Sequence, residues 1–506
     1  MKRLVSFESN EMNVNFKKTF FVILCLSVTI VCVYLLLFDV YQVLPTRKPV
    51  LLVDNEKKLD IDEQYRHAAK SMPTFPLEFW RKNTDLEFNK TCAKFPSLFD
   101  VQFQNLYWQN LRSQYGHYQI FGAYLDDRVA NPLGPTVRIL AMVDQIEPIT
   151  TVHCQLWFSE QTQPVLVKSL KYEYAWRDGW GNHVQGIYQP YLIPCPLPQS
   201  HHNLKVVAVS LVESPCDTAS NALTVFHNKP SGKKQNFAVC VKGMDFILED
   251  VSSVLTEWIE MMLLLGADKV FMYEYHVHPN MTKVFKYYEK LGRVEVTPLT
   301  LPADRPNTLF WQHIYLENRI ANKYQDEIIP YNDCFYKHMY EYKYIVVVDV
   351  DEVIVPMKRF TWTELLEDLE QNGKSYDSYN AINLLYYTDL GFTHEWFKDI
   401  PEYMHILNHV YRMPVIPKHD TQIKSFHNTE TVLSVHNHYP FACLHGDCNN
   451  FNINPDDARM QHYARKNQKM YDDFTKTSVF DATIWKYKEI LTKRVTKALT
   501  EMGFLV

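Results

Sequence analysis

The sequence predicts an α/β protein: a parallel or mixed sheet, preceded by a small β-sandwich and a single N-terminal transmembrane helix. Three observations predict it. A charge-free run from Phe20 to Phe38 is long enough to cross a bilayer as a helix. Short alternating apolar runs between turn residues fill residues 98–228. From Phe237 onward, strand-like and helix-like patterns alternate, which implies a parallel sheet with right-handed crossovers.

Taking the elements in order, Lys2, Arg3, Lys17 and Lys18 precede the apolar run and Asp39 comes after it. The excess of positive charge on the short side places residues 1–19 in the cytosol, residues 20–38 in the membrane and the remainder in a lumen. The run is longer than a signal-peptide core and lacks a small-residue cleavage site. Residues 39–97, broken by Pro45, Pro49, Pro73 and Pro76, read as a stem. Cys25 and Cys32 fall within the span. The others, Cys92, Cys154, Cys195, Cys216, Cys240, Cys334, Cys443 and Cys448, are even in number, as lumenal disulfides require. Cys443 and Cys448 enclose a short loop that they could close; the other pairings stay open. The triplets Asn89-Lys90-Thr91 and Asn280-Met281-Thr282 are compatible with glycosylation in a secretory lumen.

With 46% hydrophobic and 14% aromatic residues, the chain has ample material for large cores. A net charge of −6 without a basic block argues against nucleic acid. Aromatic-rich, mildly acidic surfaces suit sugars, whose apolar faces stack on Trp and Tyr.

In the 98–228 sandwich the clearest strands are Thr136 to Val143, Val152 to Phe158 and Lys205 to Val212. Asn228 to Lys234 is a linker by composition, and residues 229–506 form the second folded part. Phe237 to Val241 reads as a strand, Val251 to Leu265 as a helix closed by Gly266, and Lys269 to Tyr273 as the next strand. Met281 to Leu291 is a helix, Val294 to Val296 a strand, and Gln325 to Tyr342 a segment ahead of the next strand.

That strand carries the strongest chemical signal. Tyr344 to Val348 is an apolar, β-branched run, succeeded by Asp349, Asp351 and Glu352 and closed by Pro356. Ligands of open α/β sheets bind at the carboxyl ends of strands. Charge beside a buried strand is costly unless it is paired or metal-bound. Two carboxylates two residues apart can hold Mn²⁺ or Mg²⁺ bridging a diphosphate. The plainer reading is a strand that runs out into a polar loop. The apolar residues ahead and the Pro-closed segment behind favour the metal.

Several blocks taken in order resemble glycosyltransferase family 92, also called the domain-of-unknown-function-23 family, over about residues 236–450. They are Val241-Lys242, Glu257-Trp258, Leu264 to Ala267 before Val270 to Tyr273, Asn332-Asp333-Cys334, Val348 to Glu352, Lys424-Ser425, and Val435 to Tyr439. The resemblance implies a type A glycosyltransferase fold, a UDP-sugar donor, a divalent cation (Mn²⁺ or Mg²⁺) and inversion at the anomeric carbon. It also implies β-1,4-galactosyl transfer to a glycan hydroxyl, and a preceding sandwich like a carbohydrate-binding module. On that basis Asp349, Asp351 and His438 are the expected metal ligands, with His436 the near alternative for His438. Lys242, Asp333, Asp349 and Lys424 are expected to contact the nucleotide or diphosphate. Inversion needs a carboxylate base, and the candidates are Glu395, beside Trp396, and Asp447. Where the family has an Asp-Asn-x-Ser type turn, this chain reads Glu274-Tyr275-His276-Val277-His278-Pro279.

The expected setting is a Golgi membrane, as a single-pass type II protein with a lumenal catalytic part. The expected partners are a UDP-sugar, a glycan acceptor, the bilayer and a second copy in a homodimer. The competing reading is a membrane-tethered glycan-binding protein with an inactive transferase domain. A metal-dependent hydrolase is disfavoured because such enzymes gather several histidines at strand ends.

Overall fold

Apolar, β-branched and aromatic runs separated by turn residues give two large sheets. The computed structural model describes residues 60–83, 92–149, 152–371, 373–389, 397–418, 423–464 and 477–505. The chain divides into two units, Met1–Gln64 and Tyr65–Val506, and both sheets belong to the second. No helix among the described residues is long and apolar enough to cross a membrane. The expected span 20–38, the sequon at Asn89 and the candidate base Glu395 lie outside the described residues.

Nine strands form the first sheet: β1 (Gln109–Ser113), β2 (Gly116–Asp126), β3 (Thr136–Val143), β4 (His153–Phe158), β5 (Val165–Lys168), β6 (Glu173–Tyr174), β7 (Gln189–Pro196), β8 (Val206–Val212) and β9 (Leu223–Phe226). Their order is β5-β4-β8-β9-β2-β3-β7-β6, with β1 on β2. Four strands separate β4 from β7, about 24 Å in a flat sheet at 4.8 Å per strand. Yet Cys154 of β4 and Cys195 of β7 form a disulfide with Cα atoms 6.1 Å apart. The sheet therefore folds over on itself, and Val137, Ile139, Ala141 and Val143 fill the core between its halves. β3 is buried along its whole length because its other face, through Leu140 and Met142, enters a second core.

That second core is shared with the second sheet. It comprises β10 (Gln235–Phe246), β11 (Lys269–Val277), β12 (Val294–Pro298), β13 (Tyr342–Val347), β14 (Glu352–Pro356), β15 (Ser378–Tyr387), β16 (Tyr411–Arg412), β17 (Ile423–Asn428), β20 (Asn450–Asn452), β21 (Ala458–Ala464) and β22 (Val479–Phe480), while β18 (Val432–Val435) and β19 (Pro440–Cys443) form a separate hairpin. Strands β12, β11, β10 and β13 are parallel, as the alternating pattern predicts. Beyond β13 the sheet turns mixed: β17 is antiparallel to β13 and β15, and β21 joins β15 in parallel and β14 in antiparallel.

Helix α1 (Ser252–Leu265) packs Trp258, Met261, Met262 and Leu265 against one face of this sheet. It ends at Gly266, whose φ of 108° lies in the left-handed region that favours glycine. Helix α2 (Pro279–Lys290) joins it, and His278 caps α2 by accepting from the Asn280 amide. Helix α3 (Leu309–Asn318) is not apparent in the sequence pattern. Helix α4 (Ile320–His338) starts earlier and ends sooner than the segment read from Gln325 to Tyr342. It brings Ile329, Phe335 and Tyr336 into the core shared with the sandwich. Among the described residues, four disulfides form: Cys92–Cys216, Cys154–Cys195, Cys240–Cys334 and Cys443–Cys448. The third ties β10 to α4, and the last closes the short loop as anticipated.

Candidate active site

The run read as one strand from Tyr344 to Pro356 breaks in the middle. β13 ends at Val347, residues 348–351 turn, and β14 begins at Glu352. The turn is held by its own carboxylate: the Asp349 amide donates to Glu352 Oε2 at 2.9 Å, and the Glu352 amide donates to the Asp349 carbonyl at 3.0 Å. Two indoles fix β14, Trp258 donating to the Glu352 carbonyl and Trp362 to the Ile354 carbonyl, each at 2.8 Å. A polar turn between the buried apolar runs at residues 345–347 and 353–355 is thereby set at the carboxyl end of the parallel sheet, where ligands of such sheets bind.

Two lysines converge on it. Lys424 of β17 has a side chain with no exposed surface; its ammonium lies 2.7 Å from Glu352 Oε2 and 3.7 Å from Asp349 Oδ2, and donates to Asn437 Oδ1. Lys242 of β10, a quarter exposed, lies 3.3 Å from Asp349 and 3.3 Å from Glu327 of α4. Burial alone would raise the Asp349 carboxyl, but Lys242 and then Lys424 hold it well below the usual carboxylate range. The same burial raises Glu352 and Glu327, each only partly offset by its lysine. Burial opposes the charged form of Lys242 too, yet Asp349 and Glu327 push it above its ordinary value. The buried Tyr331 hydroxyl, raised by burial and then by Asp349 and Glu327, has no hydrogen-bond partner among the described residues.

The third side comes from β21. Its His462 stands opposite Glu352 in the β14–β21 register, and its Nε2 lies 3.3 Å from Asp351 Oδ2. Burial would lower this imidazole, but the bond to Asp351 and the charge of Glu352 raise it. Sequence reasoning missed His462. Its strand is polar-flanked and alternating, but nothing local links it to a turn a hundred residues earlier.

Of the residues expected from the sequence, Lys242, Asp349, Asp351 and Lys424 share this site. The Lys424 ammonium, fully enclosed by Glu352, Asp349 and Asn437, orients the turn rather than presenting a free cation to a diphosphate. His438 lies nearby on the β18–β19 turn, but its Nδ1 is 3.1 Å from the Ile423 carbonyl, and burial together with Lys424 pushes it down to about 4. Asp333 is elsewhere. Its carboxylate is 1% exposed and accepts from Tyr124, from Tyr273 at 2.5 Å and from Lys337 at 2.8 Å, which makes it a tie between sandwich, sheet and α4 instead of a nucleotide contact. Asp447 is exposed in the Cys443–Cys448 loop. That loop is anchored by His445 and the Asn449 amide on Asp377, just ahead of β15, at the level of Tyr344. From Tyr344, β13 runs on to Val347, about 10 Å at 3.3 Å per residue, before the Asp349 turn begins, so Asp447 lies toward the other end of β13 from that turn.

Among the described residues, no three His, Cys, Asp or Glu side chains come together as a metal-holding group. The expected trio of Asp349, Asp351 and His438 is thus not assembled, since Asp349 is engaged by two ammoniums. Asp351 and His462 make a two-donor set of carboxylate and imidazole. Such a set fits a cation that takes its remaining ligands from substrate phosphates and water.

The Glu274–Pro279 departure continues β11 and leads into the cap of α2. The Tyr275 ring lies against Gly243, where a Cβ would collide with it, so this segment borders the end of β10 beside Lys242.

A model of glycosyltransferase family 92 matches residues 235–495, which takes in every residue of this site. No curated protein matches the chain.

Proposed function

The chain belongs to glycosyltransferase family 92, and from that premise we propose that it transfers a sugar, galactose from UDP-galactose, to a glycan hydroxyl with inversion at the anomeric carbon. The single observation behind this reading is the Asp349–Glu352 turn at the strand ends, gathered with Lys242, Lys424 and His462. The proposed fold of residues 229–506 is the type A glycosyltransferase fold, and the proposed setting is the Golgi lumen behind a membrane span at 20–38.

The roles derive from the charges. Asp351 and His462 would hold Mn²⁺ or Mg²⁺, which when bound neutralises charge on the departing diphosphate. Lys242, the more exposed of the two lysines, would face the same phosphates. Lys242 and then Lys424 keep Asp349 ionised, and Lys424 fixes the turn, so no reorganisation is needed as charge develops. A carboxylate must take the proton of the acceptor hydroxyl as that oxygen attacks opposite UDP, and Glu395 is the residue proposed for it.

The test is a panel of UDP-sugars incubated with the chain, Mn²⁺ and terminal-sugar acceptors, with the product's anomeric configuration read by proton NMR. A β-linked galactoside from UDP-α-galactose supports the reading. Transfer of another sugar would correct the donor, and an α-linked product would overturn inversion.

A further inference from the structure

The sandwich reaches the site. Between β6 and β7, Trp176 donates to the Gly181 carbonyl at 2.8 Å, and Gly181, at φ 86°, turns the chain back. This presents Trp180 and Arg177 outward from the sandwich. Trp180 stacks on His436, with ring centroids 4.4 Å apart and an interplanar angle of 27°. The Arg177 guanidinium lies 5.1 Å from the centre of the Tyr439 ring. His436 and Tyr439 are the two ends of the β18–β19 turn, closed by the His436 amide donating to the Tyr439 carbonyl at 3.1 Å.

The same turn reaches the carboxylates from its other side. Its Asn437 accepts from Lys424, and the His438 carbonyl accepts from Ser425 at 2.8 Å. Lys424 in turn holds Glu352 and Asp349. The turn is therefore gripped on one side by β17 and on the other by two sandwich residues, with Lys424 between it and the carboxylates.

We infer that this sandwich connection is an integral part of the donor site, in which Trp180 and Arg177 are positioning residues that hold the His436–Tyr439 turn and through it the Lys424–Asp349 pair. The inference rests on the transferase reading. It makes the sandwich more than a separable glycan reader: donor affinity depends on it. Stacked ring pairs contribute beyond their buried area, and small misplacements within a site have large kinetic effects.

The experiment measures UDP affinity by calorimetry, with Mn²⁺, on the full-length chain and on Trp180→Ala and Trp180→Phe, alongside thermal unfolding of each. Trp180→Ala is expected to weaken UDP binding about tenfold and to raise the donor KM more than it lowers kcat, while Trp180→Phe, which keeps a stacking ring, restores most of the affinity. If Trp180→Ala does not fold, His436→Ala and His436→Phe decide, with loss expected for the first and retention for the second. A folded Trp180→Ala, or His436→Ala, that binds UDP like the parent overturns this inference alone. A parent chain that binds no UDP overturns it together with the transferase reading.

Discussion

Replacing Lys424 by Met tests the electrostatic design of the site. The side chain has no exposed surface, and its ammonium serves Glu352 at 2.7 Å, Asp349 at 3.7 Å and Asn437. Met fills similar space but leaves Glu352 with only the His462 ring, 3.9 Å away, and Asp349 with Lys242. Removing one partner of a buried pair is destabilising by about 3–5 kcal/mol. At about 1 °C per kcal/mol for a chain of this size, Tm should fall by about 3–5 °C at pH 7.5. The sign of the pH dependence comes from both carboxylates. Glu352 is raised already, and without Lys424 it rises further, so the folded variant binds a proton that the unfolded chain does not, and stability falls as pH climbs above the ordinary Glu value. Asp349 is depressed in the parent, which contributes stability present above the ordinary Asp value and lost in acid; without Lys424 that contribution shrinks. The Asp349 window lies below both test values, so the Glu352 effect alone makes the Tm loss smaller at pH 5 than at pH 7.5. Thermal scans of parent and Lys424→Met at the two pH values measure it. The double variant Lys424→Met/Glu352→Gln should recover part of the loss, because the uncompensated charge is gone. A Tm within about 2 °C of the parent at pH 7.5, or an equal loss at both pH values, would refute the reasoning.

Other outcomes derive from the same geometry. Asp351→Asn and His462→Ala should each abolish the Mn²⁺ dependence of UDP binding with little change in Tm, since both side chains are partly exposed, whereas His438→Ala should leave it in place; calorimetry separates the two histidines. Glu257, buried in α1 and accepting from the amides of Ile406 and Leu407, is pushed up to about 8 by burial against those bonds. Its folded value lies above its unfolded one, so its contribution is full below the ordinary Glu value and is lost as pH rises to about 8. Glu257→Gln should therefore flatten the fall in Tm between pH 5 and 8, and an unchanged slope would contradict this. Glu395→Gln should reduce turnover about 10²–10⁴-fold with UDP affinity intact; near-normal turnover would remove it as the base.

Much of the fold and part of the site are legible in the sequence because they are local. The period of two in Thr136 to Val143 and the apolar run before Asp349 announce strands, and the carboxylates at the end of the second announce a ligand site. The illegible parts depend on register between distant segments. His462 meets Asp351 only because β21 pairs with β14, and His438 resembles a ligand until the Ile423 carbonyl is seen beside its ring. Asp333 reads as a nucleotide contact, but α4 packs its face against the sandwich, where Tyr124 reaches it from β2. Asp447 is close to the site in sequence terms yet lies toward the other end of β13, because β17 runs back along β13 and the β18–β19 hairpin carries the chain on to the Cys443–Cys448 loop. Lys424 reads as a diphosphate contact; its burial is created by residues on two other elements.

The measurement that bears most directly on the central claim is UDP release from UDP-galactose by the purified full-length chain, with a glycan acceptor, in Mn²⁺ and in excess chelator. Acceptor-dependent release in Mn²⁺, lost with chelator and lost in Asp351→Asn while that variant keeps the parent's Tm, is the predicted result. Release that is indifferent to Asp351 and to the cation, or none from any UDP-sugar by the folded chain, would contradict it.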